Sequence, residues 1–394
     1  RDGHDFIGDA LKAGAGAYLT SCPEIVEGLG GTAIVVNDTA RALIDAARWG
    51  RTQFPASTVV IGVTGSVGKT STKDLIVAAL SSAKRVVANV RSFNNEQGLP
   101  VTILNAPLTT EVLVLEMGMR GLGQIDDLCR IARPHIGVIT RVGEAHTELV
   151  GGIEGVAQAK GELIEALPPQ GVAILNADDQ RVLSMSARSV APVLSYGESV
   201  GADVRITDVR LDAHGCALFD VVTPSGSASL NLSIPGRHMA HNAAAAIAVG
   251  EALGVPLSQM VESLRSATIS ARRMQMKTTR NGALLLDDCY NANPTSMVAA
   301  IETLAQIPAT HKVAVLGVMA EIENPESAYV KIAQLAKAGN IEIIAVGTDG
   351  YGSPAVSIDQ AIERIRQCDD STAVLVKGSR VAELERVVDA VIPG

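Results

Sequence analysis

Aromatic side chains are scarce in this sequence: 3% of 394 residues, with one tryptophan, five tyrosines and four phenylalanines. No basic run is interleaved with them and the formal net charge is −9. Together these exclude a general nucleic-acid binder, which needs a cationic surface with stacking platforms. Cysteine is thin as well. The five, Cys22, Cys129, Cys216, Cys289 and Cys368, form no C-x-x-C pair, so neither a zinc ribbon nor a disulfide framework is indicated. A reducing cytoplasm is the expected setting. No apolar stretch reaches the roughly 20 residues of a membrane span, so no membrane insertion is expected, and no signal peptide is expected either.

What is abundant is small and aliphatic. Hydrophobic residues make up 47% and glycine contributes 37 positions, the profile of an α/β protein whose buried parallel strands use β-branched residues. The length allows two or three domains. Residues 1–56 read as mixed strand and helix, with "GTAIVV" a strand and "DTARALIDAARWGRTQF" a helix beginning near Asp38. The opening "RDGHDFIGDALKAGAGAYL" has the character of a domain interior, and "FPAS" reads as a linker. From 57 to 270, the strands "TVVIGV", "EVLVLEM", "HIGVIT" and "GVAILN" alternate with helical stretches, which predicts parallel βαβ units. Residues 203–234 read as a small antiparallel insert, and "GRHMAHNAAAAIAVGEALG" as a helix. Residues 271–394 carry "GALLLDD", "KVAVLGV", "IEIIAVG" and "TAVLVKG" with helices between them, a second doubly wound, Rossmann-like unit. It lacks Gly-x-Gly-x-x-Gly, so no dinucleotide is expected there.

The chemistry concentrates first in "VTGSVGKTST", 63–72. The common phosphate-binding loop is Gly-x-x-x-x-Gly-Lys-Ser/Thr, but here the first glycine stands at Gly65, three before Gly68. The context is nevertheless right: a buried strand before and a helix after. Backbone N–H groups over Gly65, Ser66, Val67, Gly68, Lys69, Thr70 and Ser71 would converge on an anion at a helix N-terminus. Lys69 would reach the outer phosphates and Thr70 would place its hydroxyl on Mg²⁺. An ordinary glycine turn would leave Lys69 opposing the helix dipole without an anion to offset it. Glu116 ends the strand "EVLVLE", at the carboxyl edge where open α/β sheets bind ligands. A buried carboxylate there calls for a cation partner. His146 follows the next strand. Each alone suits a structural role; both beside Thr70 point to magnesium ligation.

The short loop spacing resembles the Mur ligase superfamily, ATP-dependent amide ligases of peptidoglycan synthesis. "SFNNEQGLP" (92–100), "LEMGMRGLGQI" (115–125), "VGEAHTELVGG" (142–152), "DDCYNANPTSM" (287–297) and "VLVKGSR" (374–380) resemble the segments of its D-alanyl-D-alanine-adding members over essentially the whole chain. The resemblance implies three domains: 1–56 as part of a domain binding the UDP-substrate, 57–270 as the ATP-binding P-loop domain, and 271–394 as a Rossmann-like ligase domain. Members usually carry a few dozen further residues before "DGHDF". It also implies ATP and Mg²⁺ as cofactors, UDP-N-acetylmuramoyl-tripeptide and D-alanyl-D-alanine as small-molecule substrates, and a monomer serving cell-wall synthesis, cell shape and division.

Residue by residue, the resemblance assigns Thr70, Glu116, His146 and Lys160 to magnesium, Lys160 as a carbamate formed with CO₂. The sequence alone reads Lys160 as a solvated lysine on a helix face. Asn242 would read the adenine, and Arg273 and Asp288 would come onto the ATP from the third domain, with Arg272 an adjacent competitor. Lys69, Lys160, His146 and Arg273 are the expected catalytic residues. Tyr290, Asn291 and Asn293 either dock the amine substrate or form a turn. Four positions depart from the family pattern: Arg141, Met239, Val318 and Tyr329. The alternatives are a sibling Mur or folylpolyglutamate-type ligase, and a nucleotide-binding homologue without ligase activity.

Overall fold

The computed structural model describes residues 2–90, 93–143, 150–320, 322 and 325–393. Among these, sixteen strands form three sheets. A parallel pair, β1 (Ala17–Thr20) and β2 (Thr32–Val35), stands near the N-terminus. The helix Thr39–Gln53 follows, its first turn closed by the Asp38 carboxylate accepting from Arg41 N–H, as an N-cap does.

The central sheet contains β3 (Val59–Thr64), β4 (Val86–Ala88), β5 (Val112–Glu116), β6 (Ile136–Ile139), β7 (Val172–Asn176), β8 (Val193–Gly197), β9 (Val204–Leu211), β10 (Cys216–Thr223) and β11 (Gly226–Pro235). Its spatial order is β11-β10-β9-β8-β7-β6-β3-β5-β4. The strands alternate their aliphatic side chains between two cores. Ile61, Val63, Val112 and Val114 join Leu75, Ile76, Ala79 and the helix His238–Ala252 on one face. Val60, Leu113 and Leu115 join the helices Gln124–Ala132 and Gly152–Glu165 on the other. Burial on both faces is why these strands read as continuous apolar runs.

The small insert expected over 203–234 is antiparallel as expected, and it extends this sheet. Strand β9 pairs parallel with β8, Tyr196 opposite Val204, and β10 and β11 continue antiparallel. Alternation leaves Val204, Ile206, Phe219, Val221, Leu230 and Leu232 on one face, and the alanine-rich helix His238–Ala252 covers them. An apolar face of that size has no stable solution as an isolated hairpin.

The third sheet contains β12 (Gln275–Thr278), β13 (Leu284–Asp287), β14 (His311–Leu316), β15 (Glu342–Ala345) and β16 (Thr372–Lys377), in the order β12-β13-β16-β14-β15. The four expected strands are parallel; β12 is an antiparallel edge strand that the sequence reading did not anticipate. Among the described residues no helix is long and apolar enough to cross a membrane.

Candidate active site

The register of the central sheet brings the chemistry-bearing ends together. Val63 lies opposite Glu116 and Thr64 opposite Ile139, so β3, β5 and β6 all finish at one edge. The chain leaves β3 through Gly65 and enters the helix Lys69–Leu80 at Gly68, whose φ of 82° is left-handed. Glycine is required at both places. A Cβ on Gly65 would lie 1.9 Å from Thr140 Oγ1, and one on Gly68 2.8 Å from Asn242 Oδ1. The loop is braced from β6: Thr140 Oγ1 donates to Val67 O at 2.6 Å. Ser66 exchanges hydrogen bonds with Gly143, donating from Oγ at 3.0 Å and accepting from the Gly143 N–H at 2.9 Å.

These residues line one large cleft of about 1790 Å³ between the central and third sheets. Lys69 donates from Nζ to Gly65 O at 2.7 Å. Burial pushes its pKa down; the Glu116 carboxylate works against that shift and Arg273 adds to it. Thr70 Oγ1 donates to Glu116 Oε2 at 2.8 Å, and Asn94 Nδ2 donates to Glu116 Oε1 at 2.7 Å. A hydroxyl and an amide, both neutral donors, thus satisfy the buried Glu116 carboxylate. Asn94 had no assigned role, although it stands in the quoted "SFNNEQGLP" segment.

Lys160 is where the local segment alone misleads most. It lies on the helix Gly152–Glu165 at 2% exposure, so the solvated-face reading is wrong. Burial foremost, with Lys69 adding to it, lowers its pKa well below the lysine range. That favours the neutral amine, the form that reacts with CO₂. His146 lies outside the described residues.

From the other wall, Arg273 Nη2 donates to Thr70 Oγ1 at 3.3 Å, and its Cζ sits 4.2 Å from the Tyr290 ring centroid, a cation–π seat. The neighbouring Arg272 turns away, to Asp389 at 2.9 Å and Asp287 at 3.6 Å. This separates the two candidates: Arg273 faces the phosphate-binding loop. Asp288 lines the same cleft, accepting from Lys377 Nζ at 2.6 Å and from Met274 N–H at 3.1 Å. Asn293 caps the helix Pro294–Gln306 in a reciprocal capping box with Ser296. Asn291 O accepts from Lys377 Nζ at 3.0 Å. Both asparagines also line the cleft.

Asn242, on the helix His238–Ala252, is buried beside Gly68 and donates to Met239 Sδ at 3.5 Å. Met239, one of the departures, thus becomes the support of Asn242. Tyr329, another, accepts from Met319 N–H at 2.9 Å and meets Tyr351 edge-on with ring centroids 4.8 Å apart. The backbone of Arg141 accepts from Ser66 N–H at 2.7 Å, and that of Val318 from Ser379 N–H at 2.9 Å. Either contact tolerates any side chain.

The oxygens suit a hard cation that shares its shell with phosphates and water. Among the described residues no three His, Cys, Asp or Glu side chains form a metal cage. Mg²⁺ needs only one or two carboxylates plus substrate phosphate, and Glu116 with Thr70 offers that.

Comparison with known proteins accords with this geometry. The family described as Mur ligase middle domain matches residues 63–250, and the Mur ligase glutamate ligase domain matches residues 272–380. A UDP-N-acetylmuramoyl-tripeptide–D-alanyl-D-alanine ligase of Escherichia coli is 34% identical over 99% of this chain and 88% of its own. One of Mycobacterium tuberculosis is 35% identical over 99% and 87%. Among solved structures, MurF from Acinetobacter baumannii superimposes with a TM-score of 0.87 at 31% identity, covering 99% of this chain and 87% of that one. The Thermotoga maritima MurF ligase in complex with ADP gives 0.85 at 28%, covering 99% and 91%. On a glycine loop at the β3–β5–β6 edge, met by an arginine from the connector before β12, and on these likenesses over nearly its whole length, the chain belongs to the Mur ligase family.

Proposed function

We propose that this protein joins D-alanyl-D-alanine to UDP-N-acetylmuramoyl-tripeptide with ATP and Mg²⁺, a step of peptidoglycan precursor synthesis. The observation that carries the reading is full-length similarity to ligases of that name, together with Arg273 reaching Thr70 across the cleft. The peptide carboxylate takes the γ-phosphoryl group, giving an acyl phosphate and ADP. The dipeptide amine then attacks the acyl carbon, the C–N bond forms, inorganic phosphate leaves, and the amine's proton passes to solvent.

Little covalent work falls to the chain, which positions the reactants and stabilises charge. The N–H groups from Gly65 to Ser71 hold the phosphates, Lys69 and Arg273 offset charge on the transferring group, and Asn242 reads the adenine. Thr70, Glu116, His146 and carbamylated Lys160 would hold Mg²⁺, which when bound screens the phosphate oxygens. Asp288, bonded to Lys377, would come onto the ATP with Arg273 from the third-domain side of the cleft. The working division is 1–56 for the UDP-substrate, 57–270 for ATP and 271–394 for the incoming amine, in a cytoplasmic monomer.

A substrate panel tests this. ADP release requiring both UDP-N-acetylmuramoyl-tripeptide and D-alanyl-D-alanine is expected, with D-glutamate, diaminopimelate and folates inert. Turnover with one of those in place of the dipeptide would make this a sibling ligase. No turnover with any acceptor would make it a nucleotide-binding homologue without ligase activity.

A further inference from the structure

Two charged residues on the nucleotide-binding helix have no part in that reaction, yet both are withdrawn from water. Lys73 is 3% exposed and the Asp74 side chain 14%. Lys73 Nζ donates to Asn89 O at 3.0 Å and lies 3.0 Å from Asp74 Oδ1. The second carboxylate oxygen, Asp74 Oδ2, accepts from the backbone N–H of Ser270 at 2.7 Å, 196 positions further along the chain. A short bond from an N–H to a carboxylate is among the stronger hydrogen bonds of a protein. Here it ties the helix to the connector between Leu257–Arg265 and β12.

Three residues beyond Ser270 comes Arg273. The connector is bent there by two non-glycine residues in the left-handed region, Arg272 at φ 62° and Met274 at φ 49°. Such conformations persist only where surrounding contacts over-determine them. Those contacts are present: Met274 N–H donates to Asp288 Oδ1 at 3.1 Å, and Tyr290 N–H donates to Arg272 O at 3.3 Å. On the helix side, Asn89 Oδ1 accepts from Glu116 N–H at 2.8 Å, and Glu116 accepts from Thr70. The contacts close a ring: Thr70, Glu116, Asn89, Lys73, Asp74, Ser270, Arg273 and back to Thr70.

We propose that Asp74 is a positioning residue that pins the connector at Ser270 and thereby sets Arg273 against Thr70, ready for charge on the transferring phosphoryl group. Arginine reaches that point from another sheet by a flexible side chain on an irregular connector. Preorganisation requires its backbone to be fixed near the phosphate-binding helix. The contact with Lys73 Nζ at 3.0 Å holds Asp74 Oδ1 and leaves Oδ2 directed at Ser270. The inference rests on the ligase reading above and adds a residue to it.

The test is a double-mutant cycle between Asp74→Ala and Arg273→Ala, following ADP release with both substrates and measuring kcat and the KM for ATP separately. Asp74→Ala is expected to lower kcat by about tenfold to a hundredfold, the scale of a misplaced reacting group. The KM for ATP should stay within a few-fold, because the tie joins Ser270 to Asp74, beyond the loop on the helix. In the Arg273→Ala background the same substitution should change kcat by less than about twofold, since coupled residues are non-additive. Should Asp74→Ala not fold, one glycine inserted between Ser270 and Ala271 slackens the tie without touching the helix, and the cycle is run with that variant. Multiplicative losses, or a wild-type kcat in the slackened variant, overturn the proposal while leaving the ligase reading intact. A wild-type protein without ligase turnover removes both.

Discussion

Gly65→Ala probes the phosphate-binding loop through one methyl group. The added Cβ would stand 1.9 Å from Thr140 Oγ1, where at least 3.0 Å is needed, so a shift of about 1.1 Å is forced. Two responses are open. The loop moves, and a displacement on the order of 1 Å at a reacting centre costs about 10²-fold in rate, or about 2.7 kcal/mol at 1.36 kcal/mol per tenfold. Alternatively Thr140 rotates away and gives up its 2.6 Å bond to Val67 O, losing about 1 kcal/mol of loop stability. The φ of 151° at Gly65, held by a residue with a side chain, adds about 1–3 kcal/mol of strain. In an ADP-release assay with a parallel thermal melt, kcat/KM for ATP should fall about 10²-fold while the rest of the fold survives. Adding Thr140→Ala removes Oγ1, the closest clash, but leaves Cβ at 3.1 Å, so part of the activity should return. A Gly65→Ala enzyme within a few-fold of wild type, or no recovery in the double variant, would refute the close-packing argument.

Two further substitutions test the charged groups. Lys69→Ala should leave the fold intact and reduce turnover by about 10²–10³, the loss typical of one transition-state donor; activity near wild type in the same assay removes Lys69 from the machinery. For Lys160, turnover should fall when CO₂ is stripped from the buffer. Lys160→Glu should retain more activity than Lys160→Ala, and Lys160→Arg should be as impaired as alanine; a normal Lys160→Arg enzyme would sink the carbamate. Lys160 also carries a pH signature, since its folded pKa is depressed and the unfolded chain binds the extra proton between that value and the ordinary 10.5. Stability should therefore rise with pH across that window, and denaturant titrations of Lys160→Met should lack that increment.

Local pattern made much of the architecture legible. Continuous apolar runs bounded by helices gave β3, β5, β6 and β7, because strands buried on both faces need no polar alternation. Asp38 marked a helix start through its own cap. Spacing around Gly65 and Gly68 placed a tight glycine turn before the helix Lys69–Leu80, since backbone bending and the following helix are properties of adjacent residues. Misreadings arose where a residue's environment comes from far along the chain. Lys160 looks like a surface lysine in a window of ten residues and is buried because other elements pack over its helix. The strands from Val204 to Pro235 look like a small antiparallel insert and also extend the main sheet, because β8 offers an open edge.

The sequence by itself determined which segments are strands or helices and which loop can grip phosphate. Those properties rest on periods of two and 3.6 residues and on glycine's backbone freedom. Tertiary structure alone decided who meets whom. Glu116 finds Thr70 and Asn94, Arg273 rather than Arg272 crosses to Thr70, and Asp74 takes the amide of Ser270. Partners separated by 22 to 203 positions are selected by sheet order and packing, and neither is written in any short stretch of the chain.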